Sequence, residues 1–367
     1  MYKQTAFPKY KGFNLGYLLW SDYTKGKNDT CSSIDRQFFW NEECISALKE
    51  RINTDLEMIA DLGFNFVRLP LNYRNFIANY NEFWDGEVFQ FDELKIAPID
   101  FAVERAKELG IYVEFALHRA PGYSVVREPE DECCSLWYDV KAKEAFKRIW
   151  KAIALRYKAV TKKYLGYNLV NEPPYEKHQK GLPIEVHNEI MMGAINEIRG
   201  IGDERTIFVD GMRWGRDPLV GLCIPGVVQS CRAYDPAVLT HHGVNDFPVD
   251  SLKWPGIVSH DAVSFENLVV WDRERLYKQY EIWAKMAQEY NVGVHCGEGG
   301  VYKDAPYEDA IHWFEDVMDI LNGFNIGFAM WNLRGPFGII DSQRKGCKYT
   351  DYKGHLLDKR MLEIMKR

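Results

Sequence analysis

At 367 residues and 42.8 kDa the chain is long for one β-sandwich, ordinary for one α/β barrel, and long enough to bury a large core. A formal charge of -7 and an isoelectric point near 5.8 exclude the basic face that a phosphate backbone requires, so nucleic acid is not an expected partner. No run of about 18 apolar residues exists, and the first eight residues lack the apolar stretch of a signal peptide, so a cytoplasmic protein without a membrane partner is expected, or a secreted one if a leader was removed.

The 8 cysteines, including adjacent Cys133 and Cys134, have neither the density nor the spacing of a disulfide scaffold, which suits reduced thiols. Aromatic residues make up 14%, with 11 Trp and 21 Tyr; most must be core, and some are available as platforms for sugar rings. Asn28-Asp29-Thr30 matches a glycosylation triplet by pattern, which arises often by chance.

In chain order, residues 11–19 read as a first strand, and a polar segment follows to about Trp40. Ile45, Leu48, Ile52, Leu56, Ile59 and Leu62 recur at spacings of three and four, the mark of an amphipathic helix that Gly63 ends. A strand over 64–69 follows at once. The same rhythm repeats in helix 92–109 and strand 111–117, helix 146–157 and strand 164–170, helix 186–198 and strands 206–209 and 226–234. Helix 275–290 and strand 292–296, helix 307–321 and strand 326–330, and a helix closing near Met361 complete the chain. Eight strands alternating with helices predict one (β/α)8 TIM barrel spanning residues 1–367. A dinucleotide fold lacks support, because no Gly-x-Gly-x-x-Gly follows the first strand. The connection from Asp235 to Trp271 is unusually long and carries His241, His242, Trp254 and Trp271; it is expected to be a loop or small subdomain between strand 6 and helix 6 that walls or covers the cleft.

Residues at the C-terminal ends of barrel strands converge on one pocket. Those ends read Arg68-Leu69-Pro70, His118-Arg119-Ala120-Pro121-Gly122, Asn171-Glu172, Arg232-Ala233-Tyr234, Glu298 and Trp331-Asn332. They are polar, aromatic and charged where the strand interiors are apolar. Glu172 enters a turn stopped by Pro173 and Pro174, and Glu298 stands among glycines, so each delivers a carboxylate where a strand ends. Plainer readings stand beside these: Arg68 as a buried ion-pair member, His118 as a structural histidine, Trp331 as core. His241 and His242 have no third ligand at a useful spacing, so no metal is expected.

Asn-Glu-Pro after strand four and Gly-Glu-x-Gly after strand seven resemble glycoside hydrolase family 5. His118-x-Ala-Pro-Gly-Tyr, Tyr234-Asp235-Pro236 with Thr240-His241, Trp254-Pro255-Gly256 and Cys296-Gly297-Glu298 are similar to the cellulase C type of endoglucanase within it. The resemblance runs from about Lys11 to the C-terminus. It implies a retaining hydrolase of β-linked glucans, foremost an endo-β-1,4-glucanase, with Glu172 as acid/base and Glu298 as nucleophile. It further implies that Arg68 and Tyr234 hydrogen-bond the nucleophile, that Asn171 grips the 2-hydroxyl, that His118 binds the same sugar, and that Trp331 is its floor, with a cis bond to Asn332. No cofactor is implied, and a monomer acting on a β-glucan oligosaccharide is expected. A β-mannanase, an exo-acting β-glucanase or β-glucosidase, and a non-catalytic sugar-binding barrel are the alternatives.

Two points depart from the simple pattern. Successive strand residues face opposite ways, so Asn171 and Glu172 can share a pocket only if the strand end twists or bulges. The family commonly has His-x-Tyr where this chain has Arg232-Ala233-Tyr234, and alternation puts Arg232 on the face of Tyr234. That places a fixed positive charge beside the carboxylates, either making them more acidic or suiting a different sugar.

Overall fold

The computed structural model describes residues 7–16, 41–125, 132–174, 182–244, 251–260 and 267–367. The expected strand residues 17–19, the polar segment after them and the Asn28 triplet lie outside these. The barrel strands are β1 (Lys11–Asn14), β2 (Phe66–Asn72), β3 (Tyr112–Ala120), β4 (Leu165–Asn168), β5 (Ile207–Asp210), β6 (Val227–Ala233), β7 (Gly293–Gly299) and β8 (Gly327–Met330). They follow the order β2-β1-β8-β7-β6-β5-β4-β3, and β3 pairs back onto β2, closing the eight-stranded parallel barrel of a (β/α)8 fold. Among the described residues the helices of eight or more residues are α1 (Glu42–Asp61), α2 (Glu93–Glu108), α3 (Val140–Arg156), α4 (Ile184–Gly200), α5 (Arg273–Tyr290), α6 (Tyr307–Gly323) and α7 (Lys359–Lys366). Each overlaps an expected one, but α3 begins six residues earlier than expected, and α7 begins near Met361 and does not close there.

The helices form where the sequence supplies both a stripe and a cap. In α1, Ile45, Leu48, Ile52, Leu56 and Ile59 are buried on one face, each contributing roughly 1.5–3 kcal/mol of apolar transfer. Asn41 opens the helix by accepting from the Cys44 N–H at 2.8 Å, and Gly63, at φ +85°, turns the chain out of it. Asp92, Asp272 and Asp358 cap α2, α5 and α7 in the same way. Between β5 and β6 the helix ring is incomplete. Arg213 and Trp214, at φ +54° and +57°, break the turn at Met212–Gly215, so this connection holds only short turns.

By compactness the described chain forms two units, one of residues 7–15 and 231–367, the other of residue 16 and residues 41–230. The second contains β2 to β5 with α1 to α4, registered in parallel from β2 through β5. The first contains β1, β7 and β8 with α5 to α7, and β8 lies in parallel between β1 and β7. Within this first unit the long 235–271 connection has structure of its own: a helical turn at Ala237–Thr240 and an antiparallel hairpin of Ile257–His260 with Leu268–Trp271. Trp254 fastens it to α6, its backbone N–H to Asp309 at 2.8 Å and its indole N–H to Asp316 at 2.9 Å, while Arg273 reaches Asp316 at 2.8 Å. Among the described residues no helix is long and apolar enough to cross a membrane.

His187 on α4 is fully buried against Trp137, and burial lowers its pKa to about 4. The folded state therefore holds it neutral while the unfolded chain protonates it below about pH 6.5, so its contribution is intact above that pH and is lost as pH falls toward 4. Between pH 7 and 5 this amounts to about 2 kcal/mol. Urea midpoints at the two pH values should separate more for the wild type than for His187→Leu; equal separations would show that His187 is not the source.

Candidate active site

Glu172 leaves β4 through a turn that the strand alternation alone would not supply. Ladder pairing continues past the strand, with Leu169 N–H to Phe208 O at 3.2 Å and Asn171 N–H to Leu117 O at 3.0 Å. Glu172 then takes φ +48°, the left-handed region that costs a non-glycine residue about 1–2 kcal/mol. This is the twist that the strand-end argument required. Three contacts hold it: the Glu172 N–H donates to Asp210 Oδ2 at 2.9 Å, its carbonyl accepts from the Tyr123 hydroxyl at 2.5 Å, and the next carbonyl, of Pro173, accepts from the Trp214 N–H at 3.0 Å. Burial, with the negative charges of Glu172 and Asp210, pushes the Tyr123 hydroxyl well above the usual range, so it remains a donor.

Beneath this turn lies a buried charge network. Arg68 is fully buried in the middle of β2, whose strand runs on to Asn72. Its Nε donates to Glu114 Oε1 at 2.9 Å, directly across the β2–β3 register, and its Nη2 donates to Asn171 Oδ1 at 2.7 Å. The same Nη2 lies 3.8 Å from Asp210, whose other oxygen accepts from Asn168 Nδ2 at 2.6 Å. Arg68 is thus a buried ion-pair member that also orients Asn171. His118 is buried on β3, four residues from Glu114, where the β2–β3 register slips between Leu117 and Arg119 and makes it the extra residue of a bulge.

The first unit builds around Glu298, which is only 4% exposed. The β7–β8 register slips between Cys296 and Gly299, so β7 carries one extra residue there and Glu298 sits on a bulge. Gly299 makes the bulge possible, because a Cβ would lie 2.6 Å from both Ala233 and Phe328. The Tyr234 hydroxyl donates to Glu298 Oε2 at 3.1 Å, and Arg232 Nη2 stands 3.5 Å from Oε1. Trp331, buried at 9%, donates its backbone N–H to Gly299 O at 2.8 Å, and its peptide bond to Asn332 is cis. Behind Tyr234, the rings of His241, Phe337 and Tyr302 pack edge to face.

Arg68, His118, Asn171 and Glu172 therefore assemble in one unit, and Arg232, Tyr234, Glu298 and Trp331 in the other. Sequence reasoning missed Asp210 and Glu114; it quoted Tyr123, Tyr234 and His241 within motifs but gave Tyr123 no role and did not foresee the ring cluster. Asp210 ends β5, and the strand-end argument that found Glu172 applies to it equally; the expected strand stopped one residue short. A Glu inside the apolar run of β3 was a comparable signal. Among the described residues no group of three or more His, Cys, Asp or Glu could hold a metal ion.

Comparison with known proteins places this geometry in a family. Residues 27–335 match the family model of cellulase, glycosyl hydrolase family 5. Endoglucanase C of Acetivibrio thermocellus is 26% identical over 312 residues, covering 79% of this chain and 86% of that protein. Cellodextrinase A of Ruminococcus flavefaciens is 28% identical over 325 residues, 86% of this chain and 83% of its own. A crystal structure of a glycoside hydrolase shares 31% identity at a TM-score of 0.80, covering 97% of this chain and 98% of the other. The chain belongs to glycosyl hydrolase family 5, the cellulase family, and is an O-glycosyl hydrolase.

Proposed function

We propose that the protein is a retaining endo-β-1,4-glucanase in which Glu298 is the nucleophile and Glu172 the acid/base. The observation that carries this reading is the unequal surroundings of the two carboxyl groups. Glu298 is buried with Tyr234 on one oxygen and Arg232 beside the other, which favours a bare, oriented carboxylate. Glu172 is half-buried with its backbone tied to the carboxylate of Asp210, which favours a held proton.

In the first step a Glu298 oxygen attacks the anomeric carbon, the glycosidic C–O bond breaks, and the departing oxygen takes the proton of Glu172. In the second, water attacks the same carbon, gives its proton to Glu172, and Glu298 leaves as a carboxylate. Retention requires the two carboxyl groups about 5–5.5 Å apart. Asn171, steered by Arg68, binds the 2-hydroxyl; His118 binds the same sugar; Trp331 is its floor. The names of the relatives, an endoglucanase and a cellodextrinase, support a β-1,4-glucan as substrate.

Glu298→Gln should lower kcat by about 10³-fold or more while cello-oligosaccharide binding persists. Proton NMR of the first product should show the β anomer; the α anomer would mean inversion and would remove Glu298 as nucleophile. Asp210→Asn takes away one acceptor beneath Glu172 and should lower kcat by about 10- to 100-fold with KM nearly unchanged. An unchanged kcat would leave Asp210 without a part in aligning the acid. Products from cello-, laminari- and manno-oligosaccharides, separated by chain length, test the linkage and the endo action.

A further inference from the structure

We infer that Arg232 is a positioning residue that keeps Glu298 ionised in acid and speeds the second chemical step at the expense of the first. The inference rests on Glu298 being the nucleophile.

Arg232 and Glu298 are 3% and 4% exposed, and Nη2 stands 3.5 Å from Oε1. An arginine cannot give up its proton, so in this low-dielectric setting the carboxylate meets a permanent positive charge. The arginine is itself anchored: the Tyr280 hydroxyl on α5 donates to its carbonyl at 3.1 Å, and its Nη1 donates to the Cys231 carbonyl at 3.1 Å. Other titratable groups of this unit near Glu298 add no fixed positive charge. Tyr234 donates its hydroxyl to the carboxylate, and the His241 ring packs edge to face on Tyr234 at 5.0 Å. The Cys296 thiol donates to the Glu298 carbonyl at 3.3 Å, and burial beside Cys231 pushes it well up, so it stays neutral. His295 lies on β7, three residues before Glu298. In the other unit Arg68, Glu114, His118, Glu172 and Asp210 are the same in every variant considered below, so differences between variants isolate residue 232.

A carboxylate stabilised in this way is a weaker nucleophile and a better leaving group. Formation of the glycosyl-enzyme is slowed and its hydrolysis favoured, because Glu298 departs in the second step with its negative charge already balanced.

The test compares wild type with Arg232→Gln, Arg232→Met and the charge-retaining Arg232→Lys, using a dinitrophenyl β-cellobioside. In the two neutral variants the acid limb of kcat/KM should move up by about one pH unit or more, and dinitrophenolate should appear in a burst near one equivalent of enzyme. The lysine variant should stay close to wild type in both readouts. An acid limb unmoved in the neutral variants, or moved equally in the lysine variant, overturns the inference. Should neither neutral variant fold, inactivation of the wild type by a 2-deoxy-2-fluoro-cellobioside decides. Its rate should persist below about pH 4.3, the ordinary glutamate value, and a midpoint at or above that pH overturns the inference. The labelled residue separates the two readings: a label on a residue other than Glu298 removes the nucleophile assignment, whereas a label on Glu298 with an unmoved acid limb removes only the role of Arg232.

Discussion

The hydrogen bond from the Glu172 backbone to the buried Asp210 carboxylate is the contact on which the acid half of the site depends. Glu172 is in a backbone conformation that an isolated chain would abandon, and it stays there because Asp210, Tyr123 and Trp214 satisfy the groups on either side of it. Asp210 can remain a buried charge because Asn168 and Arg68 compensate it, and Arg68 in turn is balanced by Glu114. Removing Arg68 would take away the positive charge that the two buried carboxylates share, and removing Asn168 would take a donor from Asp210, so the network acts as a unit. The barrel strands serve chiefly as rails that bring these few groups into register.

The other half solves the same problem with different means. A bulge in β7 swings Glu298 out of the ladder, and the absence of a side chain at Gly299 lets the strand pass Ala233 and Phe328 closely enough for Tyr234 to reach the carboxylate. One oxygen meets a hydroxyl and the other a guanidinium, so the carboxylate plane has little freedom to rotate. A nucleophile needs a fixed line of attack more than it needs strength.

Much of this was legible in the residues. Apolar spacing in α1 and α2 marked the helices because their buried stripes are continuous, and Gly63 and Gly110 marked the ends because both take left-handed turns. Glu172 and Glu298 stood out because each breaks an apolar strand next to proline or glycine. Asp210 and Glu114 went unread although they break apolar strands too, since a lone acid in a strand gains meaning only when its neighbour across the sheet is known. The absence of a helix after β5 was read correctly, since no periodic stripe lies between the strands expected at 206–209 and 226–234, but the two left-handed residues that break the turn there, Arg213 and Trp214, are not announced by local propensity. The register slip in β7 is a property of two strands together, and a single strand cannot show it. The paired strands within 235–271 were legible as short apolar runs rich in β-branched residues at Ile257-Val258 and Leu268-Val269-Val270, but the length of the whole segment concealed them.

The left-handed backbone at Glu172 carries a consequence for how this position can vary. A chain selected for stability alone would place glycine there, since glycine enters that region without steric cost. The glutamate therefore gives up on the order of 1 kcal/mol of folding free energy so that a carboxyl group can stand at that point. Descendants of this fold that lose the need to cut sugars have a downhill route open at residue 172, and a glycine or asparagine there would mark a barrel that has exchanged chemistry for robustness.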